Sequence, residues 1–296
     1  RIGWLSDYCP ELKGTNGDTM VYYLESGKSG MDVMVLGGTH ANEISGILAS
    51  TLLVELAEVK AGRLIVIPHA NNSAAMAPDS RGGLFLEQVK IAATSSDRIF
   101  KYGDRYTLEA DQPEFAADPL GAESRNLNRV YPGKTDGTLT QKIAFGIMSL
   151  IVKEGIDVAF DLHEANPNSA LGWNIISPNE TLDIAVLTAF ELEERGIRMI
   201  PDRSGPGFAG YSHWEWSRKG ATSFLIETVN PAMETGLKAD PIVSDKFPIE
   251  RRVGIHLETI LTLMKYKTEL NGGEFEIEGV PGYEQLMEKG ISGFLR

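Results

Sequence analysis

Gly37-Gly38-Thr39-His40-Ala41-Asn42-Glu43 joins the end of an apolar run to the start of a helical pattern. Glycines let the backbone turn sharply there, so that one imidazole nitrogen and one carboxylate oxygen can converge on an ion. His-x-x-Glu alone is a weak signal, because polar loops at strand ends often carry both residue types for solubility. Val158-Ala159-Phe160-Asp161-Leu162-His163, a second apolar run that finishes on a histidine, offers the third donor. Two histidines and one glutamate form a known donor set of catalytic zinc, with a fourth position open to water. His40, Glu43 and His163 are therefore the expected ligands of one Zn2+ ion. Asp161 precedes His163 by two positions, so on a strand both side chains share a face and the carboxylate can orient the imidazole from behind.

Glu227 directly follows the apolar run Ser223-Phe224-Leu225-Ile226. A carboxyl at the end of a buried strand is partly desolvated, which moves its pKa toward neutrality and suits a general base. Glu227 is the expected base for the attacking water.

His40-x-x-Glu43, the distant His163 and the late Glu227 resemble the zinc carboxypeptidase superfamily in order, spacing and strand-end context. Trp214 stands thirteen residues before Glu227 within a G-x-x-x-W…S-F-x-x-E pattern, as in the superfamily's digestive carboxypeptidases. Ser124-Arg125-Asn126-Leu127-Asn128-Arg129 is similar to the D-L-N-R segment, with Asn126 in place of the acid. By that resemblance Asn128 and Arg129 bind a substrate carboxylate, the Arg fork through two charge-assisted hydrogen bonds. Ser212 falls where those carboxypeptidases choose their side chain, and His213 is placed near the same pocket.

G-G-T-H-A-N-E, D-L-H and N-L-N-R look most like the succinylglutamate desuccinylase and aspartoacylase branch, whose members remove an acyl group from an N-acyl amino acid. The resemblance implies zinc-dependent hydrolysis of an amide bond beside a carboxylate, with a small N-acyl amino acid as substrate. The alternative is a metallocarboxypeptidase acting on the C-terminus of peptides or on cell-wall fragments. Retention of Glu227 speaks against a non-catalytic carboxylate-binding module, which needs no base. Two departures stand out. The position where the branch commonly carries an oxyanion-stabilising Arg is Gly121, leaving Arg125, Arg105 or Arg81 as substitutes. Only 69 residues follow Glu227, too few for the branch's full C-terminal β-rich domain.

These residues need an α/β fold to position them: a central mixed, largely parallel sheet flanked by helices. Short β-rich runs predict strands near Met20–Leu24, Val33–Leu36, Leu64–Ile67, Val158–Asp161, Asn174–Ile176 and Ser223–Ile226. Helical periods predict helices over Glu43–Glu58, Thr140–Glu154, Thr181–Arg195 and Pro248–Lys267. Residues 1–296 are expected to form a single catalytic domain. It would carry a long insertion at about 74–124 that borders the site and a short C-terminal helix and tail at about 248–296.

A formal charge of −13 argues against nucleic acid as the main partner. Cys9 is the only cysteine, which excludes an internal disulfide and a four-cysteine metal site. No apolar run reaches the roughly 18 residues of a membrane span. The sequence reads as soluble. Because it begins at Arg1, cytoplasmic and exported placements, the latter with a removed signal, both stay open, as does the oligomeric state.

Overall fold

The computed structural model describes residues 1–77, 87–234 and 239–296. Arg81, one of the three candidate oxyanion arginines, lies outside the described residues. Apolar side chains point to both faces of the strand Asp32–Leu36: Val33 and Val35 enter one core, Met34 and Leu36 the other. Such two-sided burial is the mark of a central parallel strand covered by helices on both faces.

The strands are β1 Ile2–Trp4, β2 Met20–Glu25, β3 Asp32–Leu36, β4 Glu58–Ala61, β5 Arg63–Ile67, β6 Gln88–Ile91, β7 Arg98–Lys101, β8 Val158–Ala165, β9 Asn174–Pro178, β10 Ile200–Ser204, β11 Thr222–Val229 and β12 Glu276–Glu278. The α-helices are α1 Ile44–Leu56, α2 Leu139–Glu154, α3 Leu182–Glu194, α4 Ser212–Ser217, α5 Ile249–Asn271 and α6 Tyr283–Lys289. Eight strands form one sheet in the order β1-β2-β5-β3-β8-β11-β9-β10. Its centre, β5-β3-β8-β11, is parallel, and β10 runs parallel to β9. The contacts β1-β2, β2-β5 and β11-β9 are antiparallel. The expected mixed, largely parallel sheet is the observed one.

Residues of α1, α3 and α5 pack on one face, around Phe160 and Phe224, whose rings stack at 5.7 Å. Residues of α2 and Trp216 of α4 pack on the other. Thr138 and Gln141 close a reciprocal capping box at the start of α2, and Gly155 ends it in the left-handed region at φ 66°. The expected first helix is shorter than its periodicity implied, because Ala57 is extended and β4 begins at Glu58.

The C-terminal part carries α5, then β12 paired with β4, and α6 packed on α5. Within the segment 74–124, the described residues hold the hairpin β6-β7 and several single turns of 3-10 helix. A backbone bond from Ala41 N–H to Asp104 O, 2.9 Å, ties this segment to the loop of His40 and Glu43. Among the described residues no helix is long and apolar enough to cross a membrane.

One close approach sets where α1 lies. A Cβ added at Gly46 would stand 2.7 Å from Leu162 O, so α1 sits on the strand that carries His163 because position 46 has no side chain. Gly46→Ala is expected to cost about 1–3 kcal/mol in urea denaturation, as backbone must shift to relieve the overlap. Gly207→Ala, with open space at that position, should lie within about 0.5 kcal/mol of wild type.

Candidate active site

Strand β3 ends at Leu36, and the chain turns through Gly38 at φ 67° before presenting His40 and Glu43 at the foot of α1. Strand β8 brings Asp161 and His163 to the same level, and β11 pairs Glu227 in register with His163. Three segments far apart in sequence thus meet at the carboxyl ends of adjacent strands, where sites in α/β sheets gather.

The carboxylate of Glu43 lies between two imidazoles. Its Oε1 is 2.7 Å from His40 Nδ1, and its Oε2 is 2.8 Å from His163 Nδ1 and accepts Glu164 N–H at 3.0 Å. All three side chains are buried, with possible ligand atoms within 4.8 Å of one another. The far nitrogens are also engaged. His40 Nε2 is 2.9 Å from Asn126 Oδ1, an oxygen that also accepts Asn128 N–H at 3.0 Å. Because that oxygen is an acceptor, His40 Nε2 carries the proton.

Burial lowers the pKa of His40 to about 4, so the ring is neutral near pH 7 and its Nδ1 turns a lone pair toward Glu43. A lone pair facing a carboxylate at hydrogen-bond distance calls for a cation at their meeting point. Two imidazole nitrogens and a carboxylate, each ring held from behind, fit a divalent metal ion.

His163 Nε2 lies 3.0 Å from Asp161 Oδ2, a charge contact rather than an aligned hydrogen bond. Burial disfavours the charged ring, yet Asp161 and Glu43 outweigh it and hold His163 well above its ordinary range. Asp161 is fixed in turn by Thr39 Oγ1 at 2.7 Å and Ser212 Oγ at 2.5 Å. It stands behind the imidazole, where the strand period put it.

These residues open on a cavity of about 450 Å³ whose lining includes Arg105, Asn128, Arg129 and Glu227. Asn128 Oδ1 accepts Ser212 N–H at 2.8 Å, which leaves the amide NH2 of Asn128 as its free donor. The Arg129 guanidinium lies 4.0 Å over the Tyr211 ring and donates to Asn128 O at 2.8 Å. Arg105 enters from the segment after β7.

Two expected binding residues are placed elsewhere. Arg125 donates to Thr107 O at 3.0 Å and packs over Phe115, so its guanidinium does not line the cavity. Ser212 is wholly buried with its hydroxyl on Asp161, and it anchors the site without facing a substrate. His213 is likewise buried against Phe208 and Tyr211 and outside the lining. Asn126, read only as a replacement for an acid, holds His40. Its amide donates to Glu123 Oε2 at 2.8 Å. Its place two residues before Asn128 was the available signal.

Glu227 Oε2 is buried with no hydrogen-bond partner. Burial pushes this carboxyl up to about 8, with Glu43 adding to the shift and His163 opposing it. Without metal, the folded chain therefore holds a proton that the unfolded chain releases above the ordinary value of 4.5. The stability linked to that proton is full below the ordinary value and is lost as pH rises through the folded one. Glu227→Gln stays neutral throughout. Chemical denaturation with chelator present should show wild type and variant close at about pH 5, and the variant increasingly the more stable toward about pH 8.5.

Comparison with known proteins places this geometry. Residues 29–195, more than half of the chain, match the model of the succinylglutamate desuccinylase/aspartoacylase catalytic domain. No curated protein matches the chain by sequence. Among solved structures, tripeptide-bound cell shape determinant Csd4 from Helicobacter pylori is similar at a TM-score of 0.56 and 14% identity, over 90% of this chain and 58% of that one. The mDAP-bound form of Helicobacter pylori Csd4, described as a D,L-carboxypeptidase, gives 0.51 and 14% over 84% and 52%. A succinylglutamate desuccinylase from Silicibacter gives 0.48 and 17% over 84% and 60%, a TM-score too low to carry an argument. The chain thus spans less than two thirds of these proteins, and at such identities the likeness concerns fold alone. On the family match, the chain belongs to the succinylglutamate desuccinylase/aspartoacylase catalytic domain family.

Proposed function

We propose that this chain is a zinc-dependent hydrolase that cleaves an amide bond beside a substrate carboxylate, removing the acyl group from an N-acyl amino acid. One observation carries the reading: Glu227, with an unpartnered buried oxygen, lines one cavity together with His40, Glu43 and His163 and with Asn128 and Arg129. His40, Glu43 and His163 would hold the zinc ion, which when bound would supply Lewis acidity to the site.

The chain's own residues do the rest. Arg129 and the Asn128 amide hold the substrate carboxylate and fix the distance to the scissile bond. Glu227 accepts the proton of the attacking water at Oε2 and returns it to the leaving nitrogen. Arg105 brings positive charge beside His40 and Glu227, which suits it to the oxyanion that develops on the carbonyl oxygen.

A second reading, a metallocarboxypeptidase acting on peptides or cell-wall fragments, draws on the fold shared with a D,L-carboxypeptidase whose structure holds a tripeptide. Substrate profiling separates the two. Purified, zinc-loaded protein should release amino acids from small N-acyl amino acids; release of C-terminal residues from peptides with N-acyl amino acids left intact would favour the second reading.

Glu227→Gln is expected to lower kcat about 10²–10⁴-fold while zinc content, measured by elemental analysis, stays at one per chain. Arg105→Ala should lower kcat about 10²–10³-fold. Arg129→Ala should act mainly on KM, and Arg125→Ala should change neither constant appreciably in steady-state assays.

A further inference from the structure

The proposed reaction gives no task to the apolar half of the cavity, and the strand register says where that half lies. Leu225 and Glu227 share one face of β11, and antiparallel pairing sets Leu225 directly opposite Ile176 of β9. Side chains two apart on a strand, and those directly opposite across a pair, are neighbours on one surface. Leu225 and Ile176 are therefore a floor immediately beside the base, and both line the cavity.

Phe208 lines the same cavity. Its ring lies 5.1 Å from that of Tyr211, and Tyr211 in turn lies 4.0 Å beneath the guanidinium of Arg129. An aromatic wall thus stands beside the carboxylate-binding arginine, in the same cavity as the floor beside Glu227.

The charges point the same way. Apart from Glu43 and Glu227, the acid of the lining is Glu164. It is bound by Arg252 at 2.5 Å and by Ser45 N–H and Asn230 Nδ2 at 3.2 Å each, so it offers no charge to a ligand. Among the described residues the cavity has two arginines. Arg129 belongs with Asn128, and Arg105 stands on the side of His40 and Glu227. With Arg129 holding the first carboxylate and Arg105 assigned to the oxyanion, the lining has no further Lys or Arg among the described residues to receive a second substrate carboxylate, and an unpaired carboxylate over the Leu225–Ile176 floor would lose its hydration without return.

We infer that this floor and wall bind the side chain of the amino acid whose carboxylate Arg129 holds, and that this side chain is apolar, of the leucine, methionine or phenylalanine class, rather than acidic. The inference rests on the function proposed above, which sets the place of the carboxylate.

Free amino acids are products of that reaction and need no turnover to bind, so calorimetric titration of L-leucine, L-phenylalanine, L-aspartate and L-glutamate into the zinc-loaded protein tests the subsite by itself. Leucine and phenylalanine should bind at least about tenfold more tightly than aspartate and glutamate. The same order should appear in kcat/KM for their N-acetyl derivatives, at about 10²-fold. Phe208→Arg, a change in a half-buried single turn, should narrow or reverse the order in both measurements. Leu225→Arg tests the floor itself. Equal binding, tighter binding of the acidic pair, or no binding of any of the four would overturn the inference. Apolar-selective binding with no hydrolysis of any amide would instead overturn the proposed activity and leave the subsite standing.

Discussion

An ionised carboxylate buried between two imidazoles is costly unless all its partners arrive together. Glu43 is such a group: one oxygen faces His40, and the other takes both His163 and the Glu164 amide. Burial alone would push its carboxyl up, but the two rings, both charged at the acid pH where it titrates, override that and hold it well below the ordinary range. A carboxylate bound so fully fixes the turn after β3, the foot of α1 and the end of β8 to within a hydrogen-bond length of one another. The missing side chain at Gly46 and the left-handed turn at Gly38 are what let the backbone meet that demand. Asp161 with Thr39 and Ser212, and Asn126 with Glu123, then brace the rings from outside.

Much of this was legible where a residue's role follows from its position on a strand. β3, β5, β8, β9 and β11 are apolar runs buried on both faces, and such runs announce themselves in sequence. His163 and Glu227 end two of them, and Asp161 sits two residues back on the same face. Strands such as β1 and β12, three residues each with an exposed–intermediate–exposed pattern, leave no apolar period to detect. β10, with Pro, Asp and Arg among its five residues, reads as a loop.

Loops hide direction more than content. Arg125 and Arg129 stand four positions apart in one Arg- and Asn-rich stretch, yet one packs on Phe115 and the other on Tyr211 above the cavity. Nothing in local spacing distinguishes them, because single 3-10 turns separated by an extended Asn126 carry no sustained face. By resemblance Ser212 falls where a pocket residue is expected, whereas it opens α4 with its hydroxyl turned inward to buried Asp161. Arg105 lines the cavity next to Asp104, which is tied by backbone bonds to Ala41 and Ala74, contacts across the chain that no motif records.

The separation of 120 positions between Glu43 and His163 also bears on how the chain acquires its site. His40 and Glu43 are made well before their partner on β8, and the two meet only when the parallel pair β3-β8 has formed. Parallel pairs of such separation close late and slowly, since the loop entropy must be met before the contacts reward it. On the proposed metal set, a newly made chain would have two donors and no third until the sheet is built. Capture of the proposed ion would then be a late event that favours the finished sheet over its precursors, and the yield of completed sites would follow the supply of metal at that moment.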